Sequence, residues 1–346
     1  MNTEYDLLEQ VFRAKQYKNL NNFNIFFTGG TGFLGKWMLK ALNHIAFKNK
    51  INISLTLLTR KKINIKKTSD EYNFLNINFH IGDISTFKIS NKFDVIFHFA
   101  ADSSKEGNAD KYKVANTIFN GTLNVINNAE IFKIKNIVFL SSGAVYGKHC
   151  LDSRGWEEND KSSLDVSDTK STYGILKMAA ENMLCNWAKK NKNNLLILRG
   201  FSFGVISEGK TSHFAFDNFI KNRVYDKNIS MKSFGKSKRN YMHPLDLCNW
   251  ILLSLPLNKT LIINSGSEEN ITLFDLAKRI ANLKVDNLPV VKVYRGKNID
   301  KENYIPNLNK SKELGYSQLV TLDDQIKYGI YSILQKEGIN GKGSCI

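Results

Sequence analysis

Apolar and polar residues recur along the chain with two periods, and the switches between them mark the elements. Residues 4 to 17 place Leu7, Leu8, Val11 and Phe12 at helical spacing, which predicts a short helix ahead of the first strand. From there, apolar runs alternate with helical stretches. Strands are predicted at 24–28, 52–59, 76–81, 94–98, 135–141 and 194–199, and helices at 33–48, 110–131 and 172–191. Strict alternation implies right-handed crossovers and a parallel sheet covered on both faces. Past Arg199 the pattern loosens into a loop-rich region with Gly204, Gly209 and Gly235. A segment at 240–257, a short strand at 261–264 and helices around 272–283 and 321–335 follow. The expected division is an N-terminal helical extension over 1–20, a sheet domain over 21–200 and a smaller mixed lobe over 201–346. Residues 240–264 are expected to return to the sheet domain. A ligand is expected between the lobes, outside the carboxyl ends of the strands.

The stretch TGGTGFLG, Thr28 to Gly35, lies between the first predicted strand and the first long helix, where it reads as a dinucleotide site. Gly29 suits a tight turn at positive φ, Gly32 a backbone held close to a pyrophosphate, and Gly35 close packing of helix on strand. The helix N-terminus offers orphan N–H groups to the phosphates. The fold class is therefore α/β, a doubly wound parallel sheet of the Rossmann type with a smaller C-terminal substrate lobe. Gly29, Thr31, Gly32, Phe33, Leu34 and Gly35 are the candidate cofactor contacts of this loop. Asp83 and Ile84 after the third strand, and Phe99, Ala100 and Ala101 after the fourth, complete the set. Asp83 is placed to accept from an adenine amine, with a turn aspartate as the alternative. His98 reads as structural rather than as a catalytic acid.

The residue closing the second strand separates NAD from NADP, because a carboxylate there binds ribose hydroxyls while an arginine accommodates a 2′-phosphate. Here the strand ends in Thr59-Arg60-Lys61-Lys62 without a carboxylate, so NADP is expected, with Arg60 forking onto the phosphate. NAD stays open, since Arg60 also suits a solvated basic turn.

Tyr173 and Lys177 stand at i and i+4 in STYGILKMAAE, on one face of a predicted helix. A phenol with a pKa near 10 is a poor base at neutral pH, and an adjacent ammonium stabilises its phenolate. Upstream, the strand Ile137-Val138-Phe139-Leu140 runs into SSGAVYG, which puts Ser142 at a carboxyl end of the sheet beside Tyr173. The alternatives are a surface Tyr–Lys pair and a serine-rich turn.

Composition changes this picture little. The net charge of +17 suits an anionic substrate, but the lysines are spread along the chain, so a nucleic-acid partner is not expected. Cys150, Cys185, Cys248 and Cys345 are widely spaced without C-x-x-C, which suggests neither a zinc site nor a disulfide framework and fits a reducing cytoplasm. The start MNTEYDLLEQVF is unlike a signal peptide, and the longest apolar run, Trp250 to Leu257, is too short to span a bilayer. No membrane contact and no metal are expected.

Together TGGTGFLG, HFAA (His98 to Ala101), SSGAVYG and Tyr173-x-x-x-Lys177 resemble the extended short-chain dehydrogenase/reductase superfamily of nucleotide-sugar epimerases, dehydratases and reductases. LRGFSFG from Leu198, RNYMHPLDL from Arg239, NSGSEENITLFDLA from Asn264 and LNKSKELGY from Leu308 extend the resemblance over nearly the whole chain. It implies that Ser142, Tyr173 and Lys177 are catalytic, that Lys177 also bonds the nicotinamide ribose, and that Arg239 grips a diphosphate. Ser202, where an asparagine is customary, and Asn218 are further candidate substrate contacts. His213 and Phe216 lie in the same lobe, where capping or core packing explains them equally well. Other departures separate the branches. Dehydratases and decarboxylases of the family carry an acidic residue within two positions of the catalytic hydroxyl, and this chain has Gly143 and Ala144. Ile118 replaces an asparagine three residues before Gly121, with Asn116 nearby.

The resemblance is nearest to reductases of 4-keto-6-deoxy sugar nucleotides. It implies a cytoplasmic, NADP-dependent reductase of a nucleoside diphosphate 4-keto-6-deoxyhexose in polysaccharide biosynthesis, working as a homodimer through helices 110–131 and 172–191. A nucleotide-sugar 4-epimerase with tightly bound NAD and a 4,6-dehydratase are the alternatives within the superfamily. A dinucleotide sensor or an RNA binder is the alternative outside catalysis.

Overall fold

The first six apolar runs form strands β1 (Phe23–Thr28), β2 (Ile53–Thr59), β3 (Asn76–Ile81), β4 (Val95–His98), β5 (Asn136–Ser142) and β6 (Asn194–Gly200). The computed structural model describes residues 3–338 apart from 14, 61–64, 102–109, 148–153, 207–213, 286–287 and 300–302. Short strands β7 (Ser202–Phe203), β8 (Ile229–Ser230) and β9 (Lys238–Met242) come next, then β10 (Thr260–Ser265), β11 (Asn270–Thr272) and β12 (Val293–Tyr294). The central sheet has seven strands in the order β10-β6-β5-β4-β1-β2-β3, and every pair in it is parallel. Its strand order reverses between β1 and β4, which sets the switch point where a doubly wound sheet takes its ligand.

Alternation along each strand sorts side chains onto two faces. Ile25 and Phe27 of β1, Val95 and Phe97 of β4, and Leu196 and Leu198 of β6 enter one core. Phe26, Ile96, Leu195 and Ile197 enter the other. The first core is covered by α1 (Glu4–Val11), α2 (Phe33–Asn49) and α8 (Pro244–Leu253). The second lies under α5 (Gly121–Ile131) and α6 (Thr172–Asn191). Short helices α3 (Ile65–Glu71) and α4 (Lys111–Ala115) precede α5 in the chain. The lobe has its own core, where α7 (Ala215–Val224), α9 (Leu273–Asn282) and α11 (Leu322–Lys336) pack together, with the short α10 (Asn309–Glu313) beside β10.

Three expectations need correction. The N-terminal helix stops at Val11 instead of reaching residue 17, because Tyr17 and Leu20 turn into the core on a separate 3-10 segment and Tyr17 bonds Asn249 of α8 at 2.5 Å. The alternation is not strict either. Between β3 and β4 the chain buries Ile84, Phe87, Ile89 and Phe93 without a helix, since Asn124 and Asn128 of α5 satisfy the carbonyls of Ile84 and Phe87 and the N–H of Ile89. Finally, helix 110–131 is interrupted by a π turn at Asn116–Asn120, where Asn116 bonds Ser85 Oγ at 3.3 Å and Ile118 turns into the core.

Candidate active site

The loop from β1 into α2 is shaped by its glycines. Gly29 has φ +81°, and a Cβ there would stand 2.7 Å from the backbone of Phe99 and Ala100. At Gly35 a Cβ would lie 2.2 Å from the Gly29 carbonyl, so this glycine lets α2 close onto the turn. Gly32 is the N-cap of α2 and provides no side-chain cap. The first amides of a 17-residue helix thus face the loop without a side-chain partner, which suits a pyrophosphate. Thr31 and Leu34 are half-buried and Phe33 is exposed along the same turn. Phe99 is buried against Phe27 at 5.0 Å, with Ala100 and Ala101 half-buried after it. This cradle fits a dinucleotide.

Beside it, Arg60 is exposed directly after β2. Asp83 follows β3, and its Oδ1 is taken by the Ser85 N–H at 2.9 Å and the Ser85 hydroxyl at 2.6 Å. Those bonds, with a smaller contribution from the Arg60 charge, hold the Asp83 carboxyl below its usual range. One Asp83 oxygen therefore builds the turn. Ile84 is buried against Gly121, where a Cβ would meet it at 2.8 Å. His98 is sealed in the sheet between the hydroxyls of Thr28 (2.9 Å) and Thr122 (3.0 Å), and burial pushes its pKa down to about 3. It is a neutral structural link.

The catalytic candidates meet at the carboxyl end of β5. Ser142 Oγ accepts from the Ala144 N–H at 3.2 Å and lies 3.4 Å from the Tyr304 hydroxyl. Burial raises the Tyr173 pKa well above that of a free phenol, the nearby Tyr304 raises it further, and the contact with Ser142 opposes them. Three hydroxyls, of Ser142, Tyr173 and Tyr304, thus share one site. Lys177 occupies the same face of α6 as Tyr173, but its Nζ donates to the Leu140 carbonyl at 2.7 Å and sits 4.5 Å from the Phe139 ring. Burial pushes Lys177 down to about 7, against the pull of Glu181. The Lys177 amine is directed toward the sheet, and desolvation dominates the Tyr173 phenol.

Tyr304 was not anticipated, being 162 positions from Ser142 in an irregular segment without a motif of its own. Burial pushes its pKa up to about 12. Its ring packs on Phe201 at 4.8 Å, and its backbone bridges to Arg239 on β9. Arg239 is half-buried there and lowers the Tyr304 pKa slightly, so it approaches the same end of the site. Phe201 also crowds one of the two positions next to Ser142 that lack an acid. A Cβ at Gly143 would stand 2.8 Å from the Phe201 ring, so that ring fills the space a side chain at 143 would need. Ser202 is half-buried on β7, where its strand partner is Tyr241. Asn218 is exposed on α7, whereas Phe216 is fully buried in the lobe core and unavailable to a ligand. His213, Cys150, Cys345, Lys61 and Lys62 lie outside the described residues. Among those described, no cluster of ligating side chains could hold a metal ion and no helix is long and apolar enough to cross a membrane.

Comparison with known proteins bears on this geometry. The chain is 26% identical over 322 residues to an uncharacterized protein of Methanocaldococcus jannaschii, covering 88% of this chain and 94% of that one. It is 24% identical over 309 residues to UDP-glucuronic acid decarboxylase 3 of Arabidopsis thaliana, covering 87% and 86%. Among solved structures, UDP-N-acetylglucosamine 4-epimerase from Methanobrevibacter ruminantium shares the fold with a TM-score of 0.75 at 18% identity, covering 91% of this chain and 99% of the other. The family model described as "NAD dependent epimerase/dehydratase family" matches residues 25–264, from β1 through β10. The chain, with its glycine cradle and Ser–Tyr–Lys set, therefore belongs to the NAD dependent epimerase/dehydratase family, within the extended short-chain dehydrogenase/reductases.

Proposed function

We propose that this protein is an NADP-dependent reductase of a nucleoside diphosphate 4-keto-6-deoxyhexose. The observation that carries the reading is the hydroxyl group of Ser142, Tyr173 and Tyr304 at the carboxyl end of β5, with Phe201 packed where a carboxylate at 143 would have to go. Hydroxyls suffice for proton transfer at a sugar oxygen, while proton removal next to a carbonyl or water elimination calls for an added acid or base. The reduced dinucleotide, when bound, would supply a hydride, one hydrogen with its two electrons, to carbon C4 of the carbonyl. Tyr173 then gives its Oη proton to the developing alkoxide at the C4 oxygen; its raised pKa keeps the phenol protonated at neutral pH, the form that can donate. Ser142 Oγ orients that oxygen by a hydrogen bond. Lys177 would hold the nicotinamide ribose.

Arg60, exposed after a strand without a terminal carboxylate, is the proposed partner of a 2′-phosphate. Arg239, strand neighbour of Tyr304, is the proposed grip on the substrate diphosphate, with Ser202 and Asn218 as further substrate contacts. The working unit is proposed to be a homodimer.

The experiment is NADPH oxidation, followed by near-ultraviolet absorbance, with a panel of nucleoside diphosphate 4-keto-6-deoxyglucoses. Consumption with one member is the expected result. The second reading, a 4-epimerase, is favoured by the fold shared with UDP-N-acetylglucosamine 4-epimerase over nearly the whole of both chains. It predicts no NADPH consumption and stoichiometric NAD released from denatured protein. A sensor or an RNA binder would have no use for the hydroxyl set.

A further inference from the structure

Glu181 is buried on α6, one helical turn beyond Lys177, and none of the roles above uses it. Its carboxylate takes hydrogen bonds from two strands at once. Oε1 accepts from Ser141 Oγ at 2.5 Å and from Arg199 Nε at 3.1 Å, and Oε2 accepts from Arg199 Nη2 at 2.7 Å. Ser141 immediately precedes Ser142 in β5, and Arg199 is its register partner in β6. Arg199 extends the connection: Nη1 donates to the Tyr146 hydroxyl at 2.8 Å and to the Glu158 carbonyl at 3.0 Å. Tyr146 in turn donates to Asn264 of β10 at 2.7 Å. One carboxylate thereby joins the helix of Tyr173 and Lys177 to the carboxyl ends of three adjacent strands.

Adhesion alone does not call for such a group. A buried ion pair carries a desolvation penalty that apolar residues of similar volume avoid, so packing would be served as well without charge. What a side-on guanidinium–carboxylate pair adds is fixed geometry, since both partners are planar and the bonds are directional. That geometry is imposed one residue from Ser142 and one turn from Lys177. The groups facing the Lys177 amine are Glu181 on its own helix, neutral His98 on β4, and the Leu140 carbonyl and Phe139 ring on β5.

We infer that Glu181 is a positioning residue of the catalytic set: through Ser141 it holds the Ser142 hydroxyl in register with Tyr173, and through Arg199 it holds the strand ends against α6. This rests on the roles proposed for Ser142, Tyr173 and Lys177.

The test compares Ser141→Ala, Glu181→Gln and the double variant of the full chain, using the sugar nucleotide that the wild type turns over. Each single change is expected to lower kcat by about tenfold to a hundredfold, the scale of a slight misplacement, with KM and the coenzyme Kd unchanged. The double variant should be no slower than the slower single one, because both cut the same connection. Glu181→Gln alone should also move the Lys177 limb of the pH profile to lower pH, since the charge that favours the ammonium is gone. Multiplying losses in kcat, or a lower Tm with unaltered kcat, would overturn the inference. Should Glu181→Gln fail to fold, Ser141→Ala decides by itself: unchanged kcat refutes it. If the wild type turns over no member of the panel, the proposed reaction has failed and this inference is tested separately. Crystal structures of wild type and Ser141→Ala with bound coenzyme should then show the Ser142 and Tyr173 hydroxyls moving apart, and an unchanged separation refutes it.

Discussion

Lys177 is where packing and chemistry pull hardest against each other. The amine is 1% exposed, with one hydrogen bond to a carbonyl and an aromatic ring above it, and burial lowers its pKa to about 7. An unfolded lysine titrates near 10.4, so between about pH 7 and 10 the unfolded chain holds a proton that the folded chain releases. The unfolded state then binds more protons, and stability rises with pH across that window. Lys177→Met should flatten the rise, with the largest gain in Tm at or below about pH 7, where the wild type carries the buried charge in full. Thermal melts of both proteins from pH 6 to 10 check this. Parallel curves would mean that Lys177 does not titrate in that window. The Tyr173–Lys177 spacing was readable in the chain because i and i+4 share a helix face whatever surrounds it. The direction of the amine was not, since it depends on a carbonyl of β5 brought over by the tertiary fold.

At the scale of elements, α2 closes tightly onto the turn after β1. A Cβ on Gly35 would meet the carbonyl oxygens of Gly29 and Gly30 at 2.2 and 2.5 Å, and both are backbone atoms with little freedom to yield. Gly35→Ala should push α2 off the loop, costing about 1–3 kcal/mol as overpacking does. Because the displaced amides are those offered to the pyrophosphate, coenzyme affinity should fall by about tenfold or more. Melting curves and coenzyme titration by fluorescence measure the two effects together; unchanged affinity would show that the loop is not the phosphate site. The seven strands of the central sheet were legible for a local reason, their apolar periodicity, whereas the short strands β7, β8, β11 and β12 were not. Helix α3 between β2 and β3 and the π turn before Gly121 were not either. The π turn carries Asn116, whose side-chain amide donates to the Ser85 hydroxyl, a partner that the tertiary fold brings to it.

At the scale of the whole molecule, the outer face of α4 to α6 exposes Tyr112, Phe119, Leu123 and Met178. Tyr112, Phe119 and Leu123 lie along the α4–α5 stretch, which packs beside α6. It is the proposed dimer contact. Light scattering behind size-exclusion chromatography should give twice the chain mass of 39.4 kDa, and Leu123→Glu should halve it. A monomeric wild type would remove the dimer. The sequence by itself determined what rests on neighbours along the chain: the doubly wound class, the glycine loop, the Tyr–Lys helix and the serines ending β5. Periodicity and backbone sterics act over a few residues and need no tertiary context. Only the tertiary structure brought Tyr304 to Ser142, set Phe201 against Gly143 and closed Glu181 onto Ser141 and Arg199. These pairs lie far apart in the chain and meet because burying two sheet faces and a lobe forces them together, a condition of the whole molecule that no local pattern records.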